Sequence, residues 1–234
     1  MLQVNWCRTC GRGQNYGDQL TPALLSHYEV PYEWSPPGVA DLLLVGSILS
    51  KIPSGWAGMV LGTGLIREGL SRDLSRAQVL AVRGPLTRDA CRLPADTLLG
   101  DAGILAPRIV PDLQLTEEHP TGVLPHHVDL QMAKRHPRAY LIDVHLPPAE
   151  VVRAVARCRH LITSSLHGLI TADALGIPCT YEPHPAVIGD GWKFRDYLGA
   201  FQQTVEPGVR RQATPRTAML ERQDALEALV AGLK

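Results

Sequence analysis

The sequence predicts an α/β protein in which two small parallel sheets face each other across a cleft. Continuous apolar runs such as 40–45 (ADLLLV) are typical of strands that are buried on both faces of a parallel sheet. In the first half, each of these runs ends in a loop that combines glycine with Ser, Thr, Arg or Asp. In the second half, residues 160–181 read as strand, turn, helix and strand, which is the repeating unit of a parallel sheet.

The first half begins with a short predicted strand at 2–6, followed by a loop rich in Gly, Asn and Arg. Thr21 and Pro22 then match a helix start, with Thr as the N-cap and Pro at the first helical position. Further strands are predicted at 40–45, 58–61, 79–82 and 97–99, and Pro85 opens a short helix after 79–82. Because the carboxyl ends of parallel strands share one edge of a sheet, we expect the loops after these strands to gather there.

A polar, proline-bounded stretch at 111–121 (PDLQLTEEHPT) is the candidate linker. It predicts two Rossmann-like domains, 1–115 and 116–234. In the second domain, strands are predicted at 122–124, 139–143, 161–163 and 179–181, and helices at 131–136, 149–158, 166–175 and 215–233.

Composition and charge exclude several classes of function. The 234 residues are 45% hydrophobic and have a formal net charge of zero, so nothing indicates a nucleic-acid partner. No apolar run reaches the length of a membrane span, and the first residues lack the apolar core of a signal peptide. We therefore expect a soluble, cytoplasmic protein.

The cysteines give weak signals. Cys7 and Cys10 form a single CxxC without a second pair, so we interpret them as part of a plain loop rather than a zinc or redox site. Cys91, Cys158 and Cys179 fall in or beside predicted regular elements and are expected to be small apolar packing residues. The odd number of five cysteines also argues against a disulfide framework.

The stretch 160–181 carries the strongest indication of a site. His167 lies in the first turn of a predicted helix, directly after a strand and the turn residues Ser164 and Ser165. Ligands bind at this end of a parallel sheet, and the free N–H groups of a helix start favour phosphate or carboxylate. His167 is therefore either an anion-binding residue or a helix cap.

Seven motifs occur in one order: NYGDQLTP (15–22), VGS (45–47), GTG (62–64), VRGPLTRD (82–89), LLGDAG (98–103), HHVD (126–129) and SSLHGLITADALGIP (164–178). Together they resemble the polysaccharide pyruvyl transferase family. The resemblance implies an architecture like that of glycosyltransferase B enzymes, with the acceptor on the first domain and the donor at the SSLHG motif. It also implies transfer of an enolpyruvyl unit from phosphoenolpyruvate to a sugar of a bacterial surface or extracellular polysaccharide, which gives a pyruvate ketal and phosphate.

Phosphoenolpyruvate carries a phosphate and a carboxylate, so its site needs cations, aimed N–H groups, an acid for the methylene carbon and a base for the incoming hydroxyl. On this resemblance, His167 is the candidate for phosphate contact and proton transfer, and Arg83 is the candidate clamp. Asp18 and Asp101 are candidate catalytic carboxylates, with a purely structural role as the alternative. The remaining candidates bind substrate or only form turns, and they are Asn15, Ser47, Thr63, His127, Ser164 and Ser165.

Two features qualify this site. His126, His127 and Asp129 suggest a metal cluster, but adjacent side chains in a strand point opposite ways, so we predict acceptor binding there, no metal and no cofactor. Some family members carry Arg where this chain has Ser165, so the missing cation would come from elsewhere, for example from Arg8 or Arg12.

The residues leave two other functions open, a nucleotide-sugar glycosyltransferase of the same architecture and a non-catalytic sugar-binding protein. For the transferase, the predicted partners are phosphoenolpyruvate and a saccharide acceptor, free or lipid-linked. A lipid-linked acceptor would bring transient contact with a membrane surface.

Overall fold

The computed structural model describes residues 1–8, 15–129 and 131–234, and in these ranges it contains two five-stranded sheets. The first comprises β1 (Leu2–Asn5), β2 (Tyr32–Trp34), β3 (Leu42–Leu43), β4 (Met59–Leu61) and β5 (Gln78–Ala81). The second comprises β6 (Gly122–Leu124), β7 (Tyr140–Leu141), β8 (Leu161–Thr163), β9 (Cys179–Tyr181) and β10 (Arg210–Arg211). The helices are α1 (Tyr16–His27), α2 (Pro85–Ala90), α3 (Met132–Arg135), α4 (Pro148–Ala156), α5 (Leu166–Leu175), α6 (Trp192–Gly199) and α7 (Arg216–Ala231). The predicted α/β class with two sheets is confirmed.

Both sheets reverse their strand order near the middle. The first sheet has the order β2-β1-β3-β4-β5, and all its pairs are parallel. The second has the order β10-β9-β8-β6-β7, with β10 antiparallel to β9 and the other pairs parallel. The strand order therefore reverses between β1 and β3 in one sheet and between β6 and β8 in the other. Crevices at the carboxyl ends of such strands are the usual ligand sites of open α/β sheets.

The two sheets share one hydrophobic core. A single cluster of buried side chains contains Val4 and Leu61 from the first sheet and Leu124 and Leu161 from the second. Between the sheets, α1 and a 3-10 segment (Ala102–Ile109) pack against α4 and α5. A smaller cluster that includes Trp56 covers the outer face of the first sheet. Burial of this kind is the main favourable term in folding.

The first helix begins earlier than the sequence predicts. Asn15 is the N-cap of α1, and its side-chain oxygen accepts a hydrogen bond from the Asp18 N–H at 3.2 Å. Thr21 and Pro22 lie inside the helix, and the Thr21 hydroxyl accepts a hydrogen bond from the Val45 N–H at 3.1 Å. The prediction of a helix start at Thr21 is therefore wrong, because Asn is an equally good cap and stands one turn and a half earlier.

Other local predictions also need correction. The predicted strand at 97–99 is reduced to a single bridge between Val82 and Leu99, and β2 and β10 were not predicted. His126 and His127 follow β6 instead of lying within a strand, so their side chains do not alternate. Their rings lie side by side, with centroids 4.2 Å apart. Within the described ranges, no helix has both the length and the apolar character needed to cross a membrane.

Two helices of the second half return to the first half. Helix α6 packs against α2, and α7 packs against the 3-10 segment at 102–109. Gln223 of α7 donates a hydrogen bond to the Ile104 carbonyl at 2.8 Å. All five strands of each sheet fall on one side of the predicted boundary between 115 and 116. The boundary itself, and the closer likeness to glycosyltransferase B, stay predictions.

Candidate active site

The candidate active site is a cleft of about 320 Å³ between the two sheets. It lies at the carboxyl ends of strands from both sheets, at the two points where the strand order reverses. From the first half it is lined by Cys7, Asn15, Asp18, Gly46, Ser47, Ile48, Lys51 and Ile66, and from the second by His126, His127, Val128, Val144, Ser165, Leu166, His167, Ala186, Ile188 and Lys193. Six of the ten residues predicted from the sequence thus line one cleft, namely Asn15, Asp18, Ser47, His127, Ser165 and His167.

A close contact joins the NYGD and SSLHG motifs. A Cβ atom at Gly17 would lie only 2.2 Å from Nδ1 of His167, so the imidazole sits where any other side chain would stand. Next to it, the Tyr16 hydroxyl bonds to Thr171 Oγ1 at 2.5 Å, and the Thr171 hydroxyl donates to the His167 carbonyl at 2.7 Å. Helix α1 therefore fixes the first turn of α5, and glycine at position 17 makes this approach sterically feasible.

His167 lines the cleft, and Asp101, which is buried and not part of the lining, lies behind it. Nε2 of His167 lies 4.0 Å from Asp101 Oδ1, and neither Nε2 nor Asp101 Oδ2 has a hydrogen-bond partner among the described residues. Burial, with the nearby Lys193 and Arg83 charges, lowers the pKa of His167 to about 3. Burial raises the pKa of Asp101 to about 7, opposed by the Arg83 charge and by the hydrogen bond from the Gly103 N–H. The imidazole is therefore neutral at pH 7, whereas the carboxyl is close to half protonated.

Asp18 faces the cleft from the first turn of α1. Its Oδ2 accepts a hydrogen bond from Asn15 Nδ2 at 2.6 Å, and the same nitrogen lies 3.3 Å from Nδ1 of His127. Burial raises the pKa of Asp18 to about 6, against the charges of Lys51 and Lys193 and the Asn15 hydrogen bond. Asp18 is therefore mostly ionised at pH 7 and suited to accept a proton from a hydroxyl.

Arg83 lies behind the cleft and not in its lining. The side chain is fully buried, and its Nε donates to Asp196 Oδ2 of α6 at 2.9 Å. One terminal nitrogen donates to Ser47 Oγ at 2.7 Å, and the other donates to the Leu65 carbonyl. Asp196 also accepts from the N–H and the hydroxyl of Thr87, at 2.9 and 2.6 Å. In this arrangement Arg83 joins the two halves and orients Ser47, and its part in donor binding stays a prediction.

Two lysines, Lys51 and Lys193, line the cleft, and the motif analysis missed the buried one, Lys193. It is the second residue of α6, only 7% exposed, and it lines the cleft. Burial, reinforced by the Arg83 charge, lowers the pKa of Lys193 to about 8, whereas Asp18 acts in the opposite direction. The available signal was its position two residues after the GDG turn at 189–191, although a single lysine after a turn is common.

Three predicted hydroxyl groups have structural partners. Ser165 is the N-cap of α5 and accepts a hydrogen bond from the Gly168 N–H, and Ser164 accepts from the His126 N–H at 2.9 Å. Thr63 is buried and donates to the Gly46 carbonyl at 2.7 Å. Ser165 alone of these three also lines the cleft. Capping and loop support therefore account for the hydrogen bonds of these groups.

The sequence suggests a metal cluster of His126, His127 and Asp129 but favours acceptor binding there, and in the part of the chain that the structure describes these three side chains do not form such a cluster. Asp129 is buried and pairs with Arg135 at 2.9 Å, away from the cleft lining. No group of three or more His, Cys, Asp or Glu side chains in the described ranges could hold a metal ion. Cys7 is disulfide-bonded, so its interpretation as a plain loop cysteine is wrong, whereas Cys10 and Arg12 lie outside the described residues.

The fold and the cleft define a two-sheet α/β protein with a candidate active site between the sheets. The family model of polysaccharide pyruvyl transferase matches residues 39–181, which is more than half of the chain. The chain therefore belongs to the polysaccharide pyruvyl transferase family. The matched range includes Ser47, Arg83, Asp101 and His167, and it ends before Lys193.

The chain is also similar to a viral protein, the uncharacterized protein L143 of Acanthamoeba polyphaga mimivirus. The two are 30% identical over 172 residues, which is 67% of this chain and 58% of the relative. The aligned part thus spans less than two thirds of the viral protein.

Proposed function

We propose that the protein transfers a pyruvyl group from phosphoenolpyruvate to a saccharide and leaves it as a ketal. One observation carries the proposal: in a chain of this family, the Nε2 atom of His167, at the amino end of α5, is buried and has no hydrogen-bond partner among the described residues. The donor brings a phosphate and a carboxylate. An imidazole, a nearby ammonium and the free N–H groups of a helix start suit such anions.

The reaction balances without an oxidant or a reductant. The methylene carbon of the donor gains a proton, its neighbouring carbon forms bonds to two acceptor oxygens, and the bond from that carbon to the phosphate oxygen breaks. The acceptor loses two hydroxyl protons. One of them replaces the proton given to the methylene carbon, and the other leaves with phosphate.

His167 is the proposed proton source for the methylene carbon. Burial and the charges of Lys193 and Arg83 keep this imidazole neutral before the donor arrives. The negative charge of the donor opposes these cations, so donor binding favours the protonated imidazole. Asp101 is the proposed group that restores the proton after each turnover, once its Oδ1, 4.0 Å from Nε2 in the free protein, comes within hydrogen-bond distance.

Asp18 is the proposed base for the acceptor hydroxyl. It lies on the first-sheet side of the cleft, and Asn15 holds its carboxylate through a hydrogen bond of 2.6 Å. A pKa of about 6 leaves it ionised yet basic enough at pH 7. The acceptor would then enter beside His127, and the donor would lie toward α5.

The size of the cleft favours a compact donor over a nucleotide sugar. Its volume of about 320 Å³ is at the small end of the range of roughly 300–1,000 Å³ that is typical of ligand clefts. A nucleotide sugar together with an acceptor would need more room than phosphoenolpyruvate with the same acceptor.

The test is incubation of the protein with phosphoenolpyruvate and a panel of saccharides, free and lipid-linked. Phosphate release is followed by colorimetry and the ketal methyl group by NMR. We expect equal amounts of both products from the wild type and neither from His167→Ala, with an unfolding transition that shows the variant is folded. Near-normal turnover by His167→Ala would remove this residue from the mechanism. Consumption of a nucleotide sugar instead of phosphoenolpyruvate would contradict the proposed donor.

A further inference from the structure

We infer that Lys193 holds the anionic end of the donor, as a buried cation in a cleft where Ser165 offers no charge. The inference rests on the proposed function for the identity of the donor. It concerns a residue of α6, outside the range that the family model matches.

Lys193 is buried in the lining of the cleft. Its side chain is 7% exposed, and in the ranges that the structure describes its ammonium forms no hydrogen bond and no ion pair. Its ammonium lies 5.9 Å from the centroid of the Phe194 ring, which is the outer limit of a cation–π contact. Because a buried, unpaired charge is costly, a lysine in this state indicates a ligand that supplies the negative charge.

The charged side chains that line the cleft, among the described residues, are Lys51, Lys193 and Asp18. Burial lowers the pKa of Lys193, the Arg83 charge adds to that effect, and Asp18 acts in the opposite direction. Arg83 itself is already paired with Asp196 behind the lining. Two ammonium groups against one carboxylate leave the described lining with an excess of positive charge, which suits an anion such as a phosphate ester.

Ser165 carries no charge, and its hydroxyl caps α5. Lys193 lines the same cleft on α6, which packs against α2 of the first half. Asp196, one turn further along α6, is held by Arg83 and Thr87. The anchored helix α6 therefore fixes the position of the Lys193 ammonium. The side chain of His167 and the amino end of α5 complete the anion site.

Donor binding by calorimetry tests this inference, with phosphoenolpyruvate and inorganic phosphate as the two probes. Loss of a charge-assisted contact should weaken phosphoenolpyruvate binding by about tenfold to a hundredfold in Lys193→Gln. Lys134→Gln is the matched control, because Lys134 is exposed on α3 and lies outside the cleft. It should bind like the wild type. Lys193→Gln/Ser165→Arg should regain most of the lost affinity.

Unfolding of each variant by urea separates a binding defect from a folding defect. Lys193→Gln removes an unpaired buried charge, so its unfolding midpoint without donor should equal or exceed that of the wild type. If Lys193→Gln does not fold, Lys193→Met removes the same charge and leaves an apolar side chain of similar length.

The outcomes separate the inference from the proposed function. Equal binding of phosphoenolpyruvate by the wild type and Lys193→Gln would overturn the role of Lys193 and leave the donor intact. Binding of phosphate alone, lost in Lys193→Gln, would keep the anion site and overturn the proposed donor. Binding of neither probe by the wild type would overturn both. A double variant as weak as Lys193→Gln would overturn the expected rescue by a cation at position 165.

Discussion

Removal of the Arg83 guanidinium should strongly destabilise the fold. Arg83 and Asp196 are both completely buried, and their ion pair of 2.9 Å joins the first half of the chain to α6. In Arg83→Met the Asp196 carboxylate keeps its two hydrogen bonds from Thr87 but loses its cation. Ser47 Oγ and the Leu65 carbonyl each lose a donor as well. Breaking a buried pair from one side typically costs about 3–5 kcal/mol, because a buried charge is left uncompensated.

The assay is urea unfolding at pH 7, with the free energy of unfolding taken from midpoint and slope. Arg157→Met is the matched control, because Arg157 pairs with Glu118 at 2.6 Å but the two side chains are 43% and 45% exposed. That variant should lose no more than about 1 kcal/mol. A loss in Arg83→Met as small as in the control would refute the reasoning. Donor binding by a folded Arg83→Lys variant then tests the clamp role that the sequence predicts.

Two further substitutions test the contacts of His167 and the charge state of Asp101. In a solvent-exposed helix, replacing Gly with Ala stabilises the helix by about 1 kcal/mol. In Gly17→Ala, however, the new Cβ would lie 2.2 Å from His167 Nδ1. We therefore expect lost transfer activity and a lower urea midpoint, and a stabilised, active variant would contradict the contact. Burial raises the pKa of Asp101 from 3.8 to about 7. The stability that the protonated carboxyl contributes is therefore fully present below pH 3.8 and is lost as the pH rises through about 7. Asp101→Asn should therefore gain stability relative to the wild type between pH 4 and pH 7, and parallel pH profiles in urea unfolding would show that the carboxyl is not perturbed.

Local sequence signals are sufficient to predict the elements around His167. Helix α5 follows directly from its apolar spacing, and Gly176 ends it with a φ of 76°, as a C-terminal glycine should. The location of His167 in the first turn of α5 can be predicted because the strand, turn and helix that position it are consecutive in the sequence. The strand positions of the two sheets were likewise available from apolar runs, since buried parallel strands need no alternation.

The signals failed where distant segments meet. The partner of Arg83 is Asp196, 113 residues later in the chain, and no local pattern connects them. Lys193 is informative because it is buried and has no polar partner among the described residues, and both are properties of the folded chain. The start of α1 was missed for another reason, because two overlapping cap signals compete and Pro22 is tolerated inside the helix.

The anchoring of α6 in the first half has a consequence for ligand entry. A hinge at residues 111–121 that opened the cleft would have to pull Asp196 away from Arg83 and Thr87. It would also have to separate the core that α1 shares with α4 and α5. The cleft is therefore preorganised. The entropy cost of ordering the elements around it is incurred during folding and not during each binding event. Substrates then enter by diffusion through the rim, and the rate of entry depends on the loops around the cleft instead of on a rigid-body closure.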